Sequence, residues 1–172
     1  AMITPHVRPG ITTEELDDIC HDFIVNELKV TPANIGYHGY TRTTCTSVNH
    51  VVCHGIPASK KLKDGDIVNI DVAIIKDGWY GDTSRMFLTG DTVSVKARKL
   101  VDVTYESLML GIAAVRPGAT LGDVGYAIQR YAESHRFSIV RDFCGHGLGR
   151  VFHDAPSVLH FGQPGRGPVL RE

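Results

Sequence analysis

The sequence has no long apolar run and no concentration of charge of one sign. No stretch approaches the roughly 18 apolar residues that span a bilayer, and no basic N-terminal region precedes an apolar core. The formal net charge of the 172 residues is −1, and lysine and arginine are scattered. Such a chain has no electrostatic attraction to nucleic acid or to an anionic membrane. We expect a soluble, cytoplasmic monomer without a nucleic-acid or membrane partner.

Cysteine is scarce as well. The four cysteines are too few for a disulfide scaffold and too irregularly spaced for a zinc ribbon, so reduced thiols are expected. Cys20 lies among the apolar positions of a helical pattern, which predicts a small buried side chain. With 42% hydrophobic and 22% charged residues, the chain has the balance of a globular unit that buries a core.

Two helices are predicted from the helical spacing of apolar residues and from the residues that cap or end a helix. Thr12 and Glu15 have the spacing of a capping box, and apolar residues follow at helical intervals to about Leu28. A second, longer helix is predicted from about residue 92 to 115, where Pro117-Gly118 ends it.

The sequence also repeats itself. Val115-Arg116-Pro117-Gly118 matches Val7-Arg8-Pro9-Gly10, and the separation from Val7 to Val115 is 108 residues. The same separation relates His38-Gly39 to His146-Gly147 without a gap. We infer two copies of one α/β unit, the first half at about 1–90 and the second at about 91–172.

The repeat also predicts where further structure belongs. The second copy of the segment that follows Asp66 would begin at about position 174, beyond Glu172. The helix that precedes the second copy has no counterpart before the first. We therefore expect a working protein longer than this chain at both ends, unless a partner chain supplies the missing pieces.

A predicted hairpin places two carboxylates on one face. Two apolar runs between residues 66 and 87 flank Asp77-Gly78, a strong signal for a two-residue turn. That turn puts Ala73 opposite Asp82, so that Asp71 and Asp82 are diagonal neighbours, with backbone positions roughly 7 to 8 Å apart. Two converging carboxylates favour one or two divalent cations. The alternative is that Asp82 caps a turn while Asp71 pairs with a basic side chain.

Three histidines lie in sequences typical of a functional cleft. His54 stands where an apolar run ends in a glycine turn. His146 is flanked by glycines, which permit a close approach of backbone or ligand. His153 follows seven residues later in a loop-like segment. The alternative for each is a hydrogen-bonded loop histidine.

Several short motifs occur in a recognisable order and spacing: Gly36–Tyr40, Asn49–Pro57, Asn69–Asp71, Gly81–Thr83, Gly145–Gly147 and Phe152-His153. Together they resemble type I methionine aminopeptidases over nearly the whole chain. The resemblance implies the pita-bread fold, an α/β (α+β) architecture of two pseudo-symmetric halves around a central metal site. Residues 1–172 would be a single catalytic domain fragment whose second half lacks its C-terminal strands.

The resemblance also implies roles for individual residues. Asp71, Asp82 and His146 would be ligands of two divalent ions (Co, Mn, Fe or Zn), with Asp82 bridging them. His54 and His153 would contact the substrate at the scissile amide and its carbonyl. The methionine pocket would be lined by Tyr37, Tyr40, Cys45 and Phe152, and a monovalent cation would lie at the loop of Asn49 and Val51. Substrates would be N-terminal methionine peptides and nascent chains, with transient ribosome contact.

The chain departs from the family pattern at its end. The last two metal ligands of the family are glutamates beyond Val169–Glu172, and one of them is the expected general base. This chain alone is therefore expected to bind metal weakly and to turn over poorly. Two other functions stay open: a different pita-bread hydrolase such as a proline-specific aminopeptidase, and a pita-bread domain that binds a partner without catalysis.

Overall fold

The computed structural model describes all of residues 1–172 as two compact units. The first comprises Ala1–Ala97 with Leu148–Phe152, and the second Arg98–Gly147 with His153–Glu172. The α-helices are α1 (Thr13–Asp22), α2 (Val95–Ala114) and α3 (Leu121–Ser134). The strands are β1 (Thr31–Pro32), β2 (Thr44–Val48), β3 (Ile67–Lys76), β4 (Trp79–Leu88), β5 (Gly145–Gly147) and β6 (Asp154–Val158). None of the helices has the length and apolar content needed to cross a membrane.

The first unit is built on a four-stranded antiparallel sheet with β3 at its centre. One edge of β3 pairs with β4 along its whole length, and the other edge pairs with β2 and then with β1. Asp77 and Gly78 connect β3 to β4 with φ values of 53° and 78°, as the favoured two-residue hairpin turn requires. Lys76 consequently pairs with Trp79, and the predicted hairpin and its register are confirmed.

Helix α1 covers one face of this sheet. Its capping box is present, because Thr12 Oγ1 accepts a hydrogen bond from the Glu15 backbone N–H and Glu15 accepts one from the Thr12 N–H. The helix continues through a π-helical turn, Phe23–Glu27, close to the predicted end. Leu16 packs against Val68, and both side chains are 0% exposed. The same core holds Ile3, Cys20, Val48, Leu62, Ile70 and Phe87, which confirms the buried position of Cys20.

A buried carboxylate ties α1 to the start of β2. Asp17 is 3% exposed, and its Oδ1 accepts hydrogen bonds of 2.7 Å from both the backbone N–H and the hydroxyl of Thr44. Its Oδ2 accepts a longer one, of 3.3 Å, from the backbone N–H of Thr43. These bonds compensate the desolvation of the charge and fix the helix at the end of the strand.

The second unit contains α2, α3 and the β5–β6 pair. Helix α2 was expected at about residues 92–115 and is confirmed with slightly shorter bounds. Its buried stripe is Val103, Ser107 and Gly111. A Cβ on Gly111 would lie 2.8 Å from the side chain of Ile128, so the glycine permits a close approach of α2 and α3.

The repeat is visible in the hydrogen bonds of the two units. Helix α3 begins with the same capping box as α1, formed by Thr120 and Asp123. Before each helix the chain is bonded to a later segment by main-chain pairs at equivalent positions: Gly10 N–H to Leu62 O and Gly118 N–H to Leu170 O, Leu62 N–H to Ile11 O and Leu170 N–H to Ala119 O, Thr13 N–H to Lys60 O and Leu121 N–H to Pro168 O. The inferred duplication is therefore confirmed at the level of local structure.

Replacement of Asp17 tests the anchor between α1 and β2. We expect Asp17→Ala to lower the free energy of unfolding by about 2 to 3 kcal/mol, because the buried Thr44 N–H loses its acceptor. Asp18→Ala, at the exposed neighbouring position, is the matched control and should change it by less than about 0.5 kcal/mol. Urea denaturation measures both, and equal effects would contradict the role assigned to Asp17.

Candidate metal and substrate site

Asp71 and Asp82 share one face of the β3–β4 hairpin, as the turn predicted. Ala73 pairs with Asp82 and Asp71 pairs with Ser84, which makes the two carboxylates diagonal neighbours. Both aspartates are half-buried. No group of three or more histidine, cysteine, aspartate or glutamate side chains in the structure is arranged to hold a metal ion. The two carboxylates are the hard oxygen donors that Mn, Fe, Co or Zn accepts, so this part of the predicted donor set fits.

Two of the predicted pocket residues lie close to Asp71, Cys45 in the sheet and Tyr40 just before β2. Cys45 pairs directly with Asp71 across β2 and β3, and its side chain is buried. Burial, and then the nearby Asp71 charge, raises the pKa of the Cys45 thiol, while a hydrogen bond with Tyr40 acts in the other direction. The hydroxyl of Tyr40 donates to the backbone carbonyl of Thr44 at 2.9 Å, and burial raises the pKa of this phenol. Both groups are therefore neutral at physiological pH.

His54 lies on a loop that is held against β2. The loop is fixed by the Thr46 N–H, which donates to the Gly55 carbonyl at 2.7 Å, and by the Gly55 N–H, which donates to Ser47 Oγ at 3.1 Å. A Cβ on Gly55 would lie 2.2 Å from the Thr46 carbonyl oxygen, so only glycine fits. The backbone of His54 has a φ of 55°, and its side chain is exposed. Such a conformation in a histidine is typical of a functional or turn position.

An aromatic cluster lies on the carboxylate face of the first unit. Phe152, which is 6% exposed, packs with Ala73 and stacks on Tyr80 with ring centroids 5.0 Å apart and an interplanar angle of 16°. The ring of Tyr37 meets Phe152 edge-on, with centroids 4.9 Å apart. The structure thus brings two predicted pocket residues together and adds Tyr80, which the sequence analysis missed. Its position two residues before Asp82, on the same side of a strand, was the available signal.

His146 and His153 lie together in the second unit. Their ring centroids are 4.3 Å apart, His146 being half-buried and His153 exposed. Nδ1 of His146 is 2.9 Å from the Gly147 carbonyl oxygen. Because a carbonyl only accepts, this contact favours a proton on Nδ1, and a neutral ring would then have its lone pair on Nε2, which is the tautomer a metal ligand needs. The imidazole therefore fits the predicted donor set as well.

The loop of Asn49 and Val51 closes a turn at the end of β2. Asn49 has a φ of 55°, its side-chain oxygen accepts from the Ile67 N–H at 3.0 Å, and its side-chain nitrogen donates to Asp66 at 2.8 Å. The Asn49 amide is thus used to hold the loop, and Val51 is exposed. A monovalent cation at this loop stays a prediction.

Comparison with known proteins identifies the family. A sequence profile of metallopeptidase family M24 matches residues 1–172. The chain belongs to metallopeptidase family M24. Membership implies divalent metal ions, and the two half-buried carboxylates and the His146 imidazole are donors of suitable chemistry.

Within family M24 the chain is similar to methionine aminopeptidases. That of Rickettsia prowazekii (strain Madrid E) is 59% identical over 99% of this chain and 65% of its own length. That of Haemophilus influenzae is 51% identical over 99% of this chain and 64% of its own length. The chain therefore spans just under two thirds of the curated relatives that it matches.

A solved structure confirms the predicted fold class. The crystal structure of methionine aminopeptidase from Rickettsia prowazekii matches with a TM-score of 0.97 and 58% identity, over 99% of this chain and 68% of that chain. The resemblance to methionine aminopeptidases and the pita-bread fold of this M24 chain are thus confirmed. The roles of individual site residues stay predictions.

Substitution of Gly55 tests how the His54 loop is held in this M24 chain. We expect Gly55→Ala to lower the free energy of unfolding by about 1 to 3 kcal/mol, because the added methyl group forces the loop away from the Thr46 carbonyl. Gly149→Ala, whose methyl group would meet Trp79 at an ordinary 3.6 Å, is the control and should be close to neutral. Chemical denaturation compares the two, and a neutral Gly55→Ala would show that the loop shifts without cost.

Thiol reactivity tests the environment of the pocket. All four cysteines are free, and Cys144 is exposed. Burial raises the pKa of the Cys20 thiol from its ordinary 9.0 to about 11, and this alone lowers its thiolate fraction about a hundredfold at neutral pH. We expect iodoacetamide at pH 7 to alkylate Cys144 first, then the half-buried Cys53, then Cys45, and Cys20 last.

Peptide mass mapping over time measures this order, and unfolded protein, in which all four react alike, is the control. Early alkylation of Cys45 would contradict its burial in β2.

Proposed function

We propose that the full-length protein containing this chain removes the N-terminal methionine from newly made proteins and peptides in a divalent-metal-dependent hydrolysis. The observation that carries the proposal is the shared face of Asp71 and Asp82, which also bears a cluster of aromatic rings. Two carboxylates and an apolar aromatic cluster on one face suit a metal-dependent peptidase that selects an apolar side chain. The relatives named methionine aminopeptidase support methionine as the residue that is removed.

The proposed ligands are Asp71, Asp82 and His146, joined by two glutamates from the part of the full-length protein outside this chain. When bound, two divalent ions (Mn, Co, Fe or Zn) would supply Lewis-acid polarisation and an activated water. The residues of this chain would hold the metal-donor atoms in position before the metal binds. The hairpin register fixes the two carboxylates, and the contact of Nδ1 with the Gly147 carbonyl favours the His146 tautomer that has its lone pair on Nε2.

Four side chains are proposed to bind the methionine side chain: Tyr37, Tyr40, Cys45 and Phe152. Aromatic rings and a neutral thiol give polarizable contacts to a thioether. Tyr40 is fixed by its hydrogen bond to the Thr44 carbonyl, and burial raises the pKa of its hydroxyl, so the pocket wall there carries no charge. An uncharged wall favours an apolar substrate side chain over a charged one.

His54 and His153 are proposed to act on the scissile peptide group. A histidine N–H directed at the carbonyl oxygen stabilises the negative charge that develops during attack, and this is the role proposed for His153. His54 is proposed to contact the amide. The fixed, left-handed loop of His54 limits how far its ring must reorganise when the substrate binds.

Release of methionine from a Met-Ala-Ser peptide tests the proposal. After chelation, the full-length protein should release no methionine, and added Mn or Co ions should restore release. We expect Asp82→Asn to reduce metal-restored release to background, because one carboxylate of the pair is lost. Asp91→Asn, an exposed aspartate after β4, is the matched control and should stay close to wild type.

Two other results would each contradict the proposed removal of methionine. Cleavage of an N-terminal residue followed by proline, without methionine release, would favour a proline-specific aminopeptidase. A protein that cleaves neither peptide, with or without added metal, would favour a non-catalytic binding domain.

We also propose that residues 1–172 alone bind Mn more weakly than the full-length protein and turn over poorly. Equal affinities by calorimetry would contradict the contribution of the two outside glutamates.

A further inference from the structure

A short segment of the chain is held in the first unit by three contacts with the start of β4. This segment is Leu148–Phe152. The Tyr80 N–H donates to the Gly149 carbonyl at 2.8 Å, Arg150 lies over the ring of Trp79 at 4.6 Å, and the Phe152 ring stacks on Tyr80. Two of the three contacts are made by Tyr80, one by its main chain and one by its ring.

The Tyr80 ring lies more nearly parallel to the Phe152 ring than the Tyr37 ring does. Tyr80 is half-buried and nearly parallel to Phe152, at 16°, whereas Tyr37 meets it edge-on at 63° and is 37% exposed. A parallel ring opposes tilting of its partner, because tilting would break contacts across a whole face. Without the Tyr80 ring, one face of Phe152 would border empty space, and the surrounding side chains would relax into it.

We propose that Tyr80 is a positioning residue that fixes the ring of Phe152 and thereby sets the width of the pocket for the substrate's N-terminal side chain. The inference rests on the proposed function, in which Phe152 is a wall of that pocket. A wall whose ring is held in one orientation admits an unbranched thioether and resists a branched side chain. A wall that can tilt loses this discrimination, because it binds methionine less closely and accommodates leucine more easily.

Steady-state kinetics with Met-Ala-Ser and Leu-Ala-Ser peptides test this, using metal-loaded full-length protein. Tyr80→Ala should raise KM for the methionine peptide about three- to tenfold, the range expected for loss of an aromatic pair, while kcat changes less than about twofold. The ratio of kcat/KM for the methionine peptide over the leucine peptide should fall by a similar factor. Tyr80→Phe keeps the ring and should restore both values.

Two further variants separate ring stacking from other effects. Trp79→Ala removes a neighbouring ring that contacts Arg150 rather than Phe152, and it should leave the methionine-to-leucine ratio within about twofold. Tyr80→Leu keeps apolar bulk and should show the loss of selectivity even if Tyr80→Ala unfolds. Thermal unfolding of each variant verifies that the compared proteins are folded.

The outcomes are distinct. An unchanged KM and an unchanged ratio in Tyr80→Leu, a loss confined to kcat, or an equal loss in Trp79→Ala or Tyr80→Phe would each overturn the positioning role while the proposed function stands. Wild-type protein that releases no methionine under any metal condition would overturn the proposed function and this inference with it.

Discussion

The two-residue turn at Asp77-Gly78 is the constraint on which the rest of the structure depends. Both residues have positive φ, a geometry that matches the twist of the paired strands and fixes which residues of β3 and β4 are opposite. Side chains alternate between faces, so a slip of one residue would move Asp82 to the face that carries Phe87 and the apolar core. An unpaired carboxylate there would cost several kcal/mol, about as much as a small domain can lose. Burial of the apolar face therefore selects the same register that pairs the two carboxylates.

The two faces of the sheet consequently differ in what they contribute to the protein. One face packs against α1 and contributes the stability of the first unit, with Val68 fully enclosed. The other carries half-buried carboxylates and the Phe152 cluster, which contribute less apolar burial. Asp17 links the two faces, because it anchors α1 to the start of β2. This strand places Cys45 beside Asp71. The positions of Cys45 and Asp71 on the second face thus depend on the packing of the first face against α1.

The sequence was sufficient for features that local physics determines. Capping, helical periodicity and the turn predicted α1, the hairpin and its register, and the repeat predicted two copies of one unit, whose main-chain hydrogen bonds before α1 and α3 are equivalent. The sequence did not predict the stacking of Tyr80 on Phe152. These residues are far apart in the chain, and their pairing depends on how Leu148–Phe152 returns to the first unit, which no short-range pattern encodes. The left-handed backbone of His54 was likewise invisible, because a histidine carries no strong preference for it.

The two copies of the repeat show why duplicated structure does not imply duplicated chemistry. Their main-chain hydrogen bonds before the helices are equivalent, because such bonds need only backbone geometry and tolerate changes of side chain. His38 and His146 occupy equivalent positions in the repeat, yet their surroundings differ. His38 is exposed in a short 3-10 turn with a φ of 47°, and its ring meets Tyr37 edge-on. His146 lies in β5, where its Nδ1 is 2.9 Å from the Gly147 carbonyl oxygen. The two histidines therefore have different local partners at equivalent positions, and the repeat alone does not predict a shared role for them.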